Sequence, residues 1–171
     1  VSMADEYFEL VARNTSIVMQ VCTAGNLRTA ILCAKMAKKF NAFHRFLIAT
    51  DTPTGSGIMP LGLIYTISQI ASLTDFDVAS LIAAATGNVA TSYHLNSGFL
   101  RSGYDADVVL IDAPLGGTKK DAIAALKNGD PCAIGAVLTK GIPRFVGRSK
   151  NTPPPIRNIC VAKSAVTNLF Q

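Results

Sequence analysis

Charge and histidine are both scarce in this chain. Asp, Glu, Lys and Arg make up 16% of its 171 residues, where soluble domains carry about 25%. The two histidines, His44 and His94, stand far apart. No HxH, HExxH or clustered Cys/His spacing exists, so no zinc-finger or metalloprotease motif is present. The four cysteines, Cys22, Cys33, Cys132 and Cys160, form no CxxC pair. With no signal peptide ahead of them they read as reduced thiols of a cytoplasmic protein. No apolar run approaches the ~18 residues of a membrane span. The stretch Thr54-Gly55-Ser56-Gly57 has no lysine after it before Lys119, so it is a weak match to a Walker phosphate loop and reads rather as a loop that needs glycine backbone freedom. There is no internal repeat and no low-complexity tract.

What is present is mostly apolar, with a hydrophobic fraction of 49%. Such a chain either buries an unusually large core or presents apolar surface to a partner chain or a further segment. The net charge of +5 does not point to nucleic acid. Its basic residues are scattered, paired only at Lys38-Lys39 and Lys119-Lys120, whereas a nucleic-acid binder gathers them on one face. The sequence opens at Val1 without a Met start, which raises the expectation of a fragment.

Periodicity divides the chain near residue 97. Ser2 and Asp5 have capping-box spacing for a helix over 3–13. Residues 16–22 (SIVMQVC) form a β-rich, nearly continuous apolar run, as in a parallel strand covered on both faces. Gly25 and Asn26 break the chain and can cap a helix over 26–40, and a second strand is expected over 45–50. The strand starts are spaced as in one βαβ unit of roughly 30 residues. A helix over 60–73 is apolar nearly all round and is expected to be covered on more than one side. Thr74 and Asp77 suggest a capping box for a helix over 75–86, and a short helix follows near 88–95. Beyond it, 98–112 reads as strand, glycine turn and strand. A short helix is expected over 119–128, a hairpin over 133–149 turning at Lys140-Gly141, and an irregular Pro-rich stretch over 150–158.

One acid stands out. In FLIATDTPTGSG (46–57) an apolar strand runs into Asp51 and then a Gly/Pro loop. In parallel α/β structures ligands lie beyond the C-terminal ends of the strands, which is where Asp51 falls. A turn or capping aspartate is the ordinary alternative; a metal ligand or general base is the functional one. The loop after Cys22 ends the neighbouring strand and should line the same mouth. Cys22 has no evident His–acid partner, so a lining thiol is favoured over a nucleophile. The histidines read as structural. Taken alone, the residues supply one good acid and no complete catalytic constellation.

The linked order of three motifs resembles the C-terminal part of the metal-dependent amidohydrolase superfamily. They are LIATDTPTGSG with Asp51, Thr86-Gly87-Asn88-Val89-Ala90, and Gly98 through Asp112. Pro60-Leu61-Gly62, Ile70-Ala71-Ser72, Ala113-Pro114-Leu115-Gly116, Asp121-Ala122 and Asn151-Thr152-Pro153-Pro154 are most similar to its enamidase branch, ring-opening hydrolases of nicotinate degradation. The resemblance implies an α/β fold: the C-terminal portion of a (β/α)8 TIM barrel plus part of a small composite β-sandwich. Residues 1–96 would hold the last two β/α units and terminal helices, 97–150 the sandwich part, and 151–171 a Pro-rich segment and tail. Asp51 would be both metal ligand and catalytic base, with zinc or iron as the cofactor. Thr52, Pro53, Thr54, Gly55, Cys22 and Thr23 would contact a small cyclic amide or enamide substrate.

The family's His-x-His pair, bridging Lys or Glu and two further histidines are absent. The resemblance therefore implies a fragment that is inactive and does not retain metal by itself. A homo-oligomer is expected, with neither nucleic-acid nor membrane partners. The competing reading is a non-catalytic α/β binding or assembly module.

Overall fold

The computed structural model describes residues 4–22, 26–53 and 58–160. Two short apolar strands lie side by side and parallel: β1 (Met19–Cys22) and β2 (Phe46–Ala49). Met19 pairs with Phe46 and Cys22 with Ala49. The strand expected over 16–22 thus begins three residues late. β2 starts opposite Met19, so residues 16–18 have no ladder partner among the described residues. Thr15 turns the chain there instead. Its hydroxyl donates to the Val11 carbonyl (2.7 Å) and accepts the Ile17 N–H (3.2 Å).

Helix α1 (Asp5–Asn14) precedes β1, and α2 (Leu27–Lys39) links the two strands. Ser2, half of the expected capping box, lies outside the described residues. Asp5 instead pairs with Arg28 of α2 through two hydrogen bonds, 2.9 and 3.2 Å. Asn26 caps α2 as expected, accepting the Thr29 N–H at 3.2 Å. The buried side of α2 is small (Ala30, Cys33, Ala34, Ala37), which lets the helix lie close against the strands. The core joins it to Met19, Phe46, Ile48, Ile70 and Leu81. Phe43 sits between Phe46 and Phe76, with ring centroids 5.3 and 5.5 Å away. Burial pushes the Cys33 and Cys132 thiols up to about 11, so both are protonated and inert at neutral pH.

After β2 come α3 (Gly62–Ser72), α4 (Val78–Ala85) and α5 (Gly87–Tyr93). α3 departs from expectation. It buries Thr66, Ile67, Ser68, Ile70 and Ala71 but leaves Leu63 and Tyr65 exposed, because among the described residues nothing packs over that side. The cap of α4 is Asp77, which accepts the Ser80 N–H at 2.9 Å. Thr74 is no partner in a capping box; its hydroxyl bonds back to the Ile70 carbonyl. His94, expected within a helix, ends α5 in a left-handed conformation.

The remaining strands form a separate antiparallel sheet in the order β3 (Val108–Asp112), β4 (Ala133–Thr139), β5 (Ile142–Val146). The hairpin turns at Lys140 and Gly141, both with positive φ. Of the strand–turn–strand expected over 98–112, only β3 forms. Residues 98–107 are turns and bends, and Leu100 is 87% exposed, since among the described residues no strand offers it a ladder. Asn96 holds this loop, donating to the Gly103 carbonyl (3.2 Å) and accepting the Asp105 N–H at its own carbonyl (2.9 Å). Helix α6 (Ala122–Lys127), capped by Asp121, ties the halves together. The Lys127 ammonium donates to the carbonyls of Ala71 (2.9 Å), Thr74 (2.8 Å) and Phe76 (3.0 Å), satisfying one acceptor in the last turn of α3 and two in its connection to α4. No helix among the described residues is long and apolar enough to cross a membrane.

The Pro-rich stretch is irregular but not loose. Pro155 bridges to Pro114, and Arg157 clasps the buried carboxylate of Asp112. Asp112 accepts bonds from Arg157 Nε (3.0 and 3.1 Å), Arg157 Nη2, the Arg157 N–H (3.0 Å) and the Ala113 N–H (2.8 Å). The Arg157 side-chain bonds hold its pKa down at about 2 against the opposing effect of burial. A depressed carboxylate pKa adds stability above the unfolded value near 4, and that stability is lost as pH falls from about 4 towards 2. Melting temperatures across this window should fall more steeply in the wild type than in Asp112→Asn. The variant should already be weaker at pH 7, by about 1–3 kcal/mol. Parallel pH profiles would show the clasp to be energetically idle.

Candidate functional site

The parallel strands end together, Cys22 beside Ala49. Beyond Ala49 the chain leaves the ladder through Thr50 and Asp51. Asp51 is exposed and adopts φ +60, a left-handed conformation. Aspartate is among the few non-glycine residues that enter this region readily. The kink ends the strand and turns the chain at the acid. Thr50 braces the turn: its hydroxyl accepts the Thr52 N–H across Asp51 at 3.3 Å. The Thr52 hydroxyl in turn accepts the Met59 N–H at 3.5 Å.

The start of α3 presses on the same turn from the other side. A Cβ at Gly62 would stand 2.7 Å from Thr50 Cγ2 and 3.2 Å from Thr50 Cβ, so only glycine fits against this threonine. At the opposite end of β2, Asn88 of the Thr86–Ala90 motif anchors α5. Its Nδ2 donates to the carbonyls of Phe43 (2.8 Å) and Phe46 (3.1 Å). Gly98 of the next motif, at φ +77, packs against this helix; a Cβ there would meet Ala90 Cβ and the Thr86 carbonyl, both at 2.8 Å. The motifs thus interlock and fix β2 from below, while Gly62 and Thr50 fix its upper end.

Two apolar hollows flank the strand ends. One, of about 300 Å³, lies between α1, β1 and α2, and Cys22 and Asn26 are in its wall. The other, of about 710 Å³, lies between α3, α4 and the antiparallel sheet, and Thr50 and Thr52 line it. Cys22 and Thr52 therefore face different hollows. Asp51 and Pro53 are exposed at the strand end. Thr23, Thr54 and Gly55 lie outside the described residues. His44 sits in the turn before β2, at the end remote from Asp51. Among the described residues no group of three or more His, Cys, Asp and Glu could hold a metal ion.

No protein-family model matches the chain. Enamidase of Eubacterium barkeri is 36% identical over 143 residues, a match that takes in 84% of this chain and 37% of enamidase. A crystal structure of enamidase, described there as a new member of the amidohydrolase superfamily, superposes with a TM-score of 0.88 at 32% identity. It covers 92% of this chain and 41% of that one. The chain is similar to enamidase. The similarity drawn above from the three linked motifs is thus met by both sequence and backbone, and the mixed α/β architecture agrees with it. The chain spans about two fifths of the length of the enamidases that it matches.

Thr50 and Gly62 were missed in the sequence as parts of this site. Gly62 stood in view within the Pro60-Leu61-Gly62 run, but its purpose is a contact with Thr50, twelve residues earlier, that no local spacing shows.

Proposed function

We propose that the chain forms the C-terminal part of an enamidase-like amidohydrolase. Residues 1–96 would close a (β/α)8 barrel, 97–150 would contribute to a composite β-sandwich, and 151–171 would form the tail. The observation that carries the proposal is Asp51. It is a carboxylate turned out of a parallel strand at its C-terminal end, where catalytic residues of barrel enzymes sit, in a chain whose backbone follows enamidase.

In this reading the Asp51 carboxylate takes a proton from the attacking water and returns it to the leaving nitrogen of a cyclic amide or enamide. The same reading gives substrate contact to Thr52, Pro53, Thr54 and Gly55, and to Cys22 and Thr23. Asp51 also suits one oxygen-donor position of a divalent metal such as zinc or iron. Such a metal supplies polarisation of the amide carbonyl and an acidified water. A metal centre normally needs about three protein ligands. The remaining donors would come from elsewhere in the natural-length polypeptide, because the described residues hold no such group. The proposal also places the protein in the cytoplasm as a homo-oligomer.

Metal content tests this. The natural-length protein should keep close to stoichiometric zinc or iron after dialysis, and residues 1–171 alone should lose it to a chelator. Stoichiometric metal retained by the 171-residue chain through chelator dialysis would place the donors within it and refute the division proposed here.

A further inference from the structure

We propose that Gly62 and Thr50 are positioning residues for Asp51, an inference that rests on the reading of Asp51 as the proton acceptor. The contacts close a ring. The Thr52 N–H donates to the Thr50 hydroxyl (3.3 Å), the Met59 N–H to the Thr52 hydroxyl (3.5 Å), and the Gly62 N–H to the Met59 carbonyl (3.1 Å). The ring shuts where Gly62 meets the Thr50 methyl. Asp51 is the residue that this ring bends outward, at φ +60.

The coupling runs through one torsion. Methyl and hydroxyl share the Thr50 Cβ, and a β-branched side chain has few χ1 choices. A methyl placed on Gly62 would push the Thr50 methyl aside. The same rotation carries the hydroxyl away from the Thr52 N–H and removes the brace across Asp51. The helix start cannot simply retreat. The Gly62 carbonyl accepts the hydroxyl of Thr66 at 2.8 Å, and Thr66 is fully buried. This runs against the ordinary effect of Gly→Ala in a helix, which is stabilising.

The chemistry suggests its own rescue. Serine at position 50 keeps the hydroxyl and lacks the methyl. Gly62→Ala, Thr50→Ser and the double variant should therefore be compared in the natural-length protein, each checked by melting. The Thr52 amide resonance is read in 15N-threonine-labelled protein, and kcat and KM are measured on a cyclic amide. Gly62→Ala should displace the resonance and lower kcat about ten- to a hundredfold with KM little changed. Thr50→Ser should stay near wild type, and the double variant should recover both resonance and kcat. An unmoved resonance in Gly62→Ala, or a double variant no better than Gly62→Ala, overturns the inference. A resonance that moves and recovers while kcat stays level upholds the positioning pair and overturns the role given to Asp51.

Discussion

Asp51→Asn in the natural-length protein should cut turnover of a cyclic amide or enamide by at least about a hundredfold while changing stability by no more than roughly 1 kcal/mol. The two halves of this expectation separate the functional reading from the ordinary one. Asparagine enters the left-handed region as readily as aspartate, so the φ +60 turn at position 51 survives. It also caps and turns equally well. What it cannot do is accept a proton, and its neutral oxygen is a poorer metal donor. Melting curves, metal analysis and steady-state kinetics on the same preparation decide the matter. A folded, metal-loaded variant with near-normal turnover would make Asp51 a loop residue.

The second large effect is on assembly. Residues 1–171 produced alone should sediment well above the monomer mass of 18.0 kDa. β1 pairs only with β2 among the described residues, which leaves its other edge open. Beside it Tyr7 and Ile17, 56% and 57% exposed, line the hollow together with Phe8, Val11 and Val18. A soluble monomer seldom leaves such a patch bare, and an unpaired strand edge is itself a template for pairing. Tyr7→Lys with Ile17→Lys should shift the chain back towards monomer. A well-dispersed wild-type monomer at tens of micromolar, with no binding of an apolar-surface dye, would contradict this.

The parallel pair, α2 and the hairpin turn at Lys140-Gly141 were legible because their signals are local: an apolar run, a cap, a glycine. What failed had its cause elsewhere in the chain. The strand expected over 16–22 lost its first three residues because β2 does not extend to provide them a ladder partner. Among the described residues the first strand expected within 98–112 met no neighbour, and the all-round apolarity of α3 met no cover on the Leu63 side. The position of Asp51 just beyond the C-terminal end of β2 was legible because strand and loop are adjacent in sequence. Its brace was not, since Thr50 and Gly62 meet only after α3 folds back. Arg157, which clasps Asp112 from 45 residues away, was invisible for the same reason.

The most direct test is hydrolysis itself. The natural-length protein, loaded with zinc or iron, is incubated with a cyclic enamide and with an open-chain amide of similar size, and products are followed by mass. Ring opening of the cyclic substrate with gain of one water, lost on chelation and lost in Asp51→Asn, is the predicted result. No ring opening with either metal across a panel of cyclic amides and enamides, from a folded and metal-loaded protein, would contradict the account.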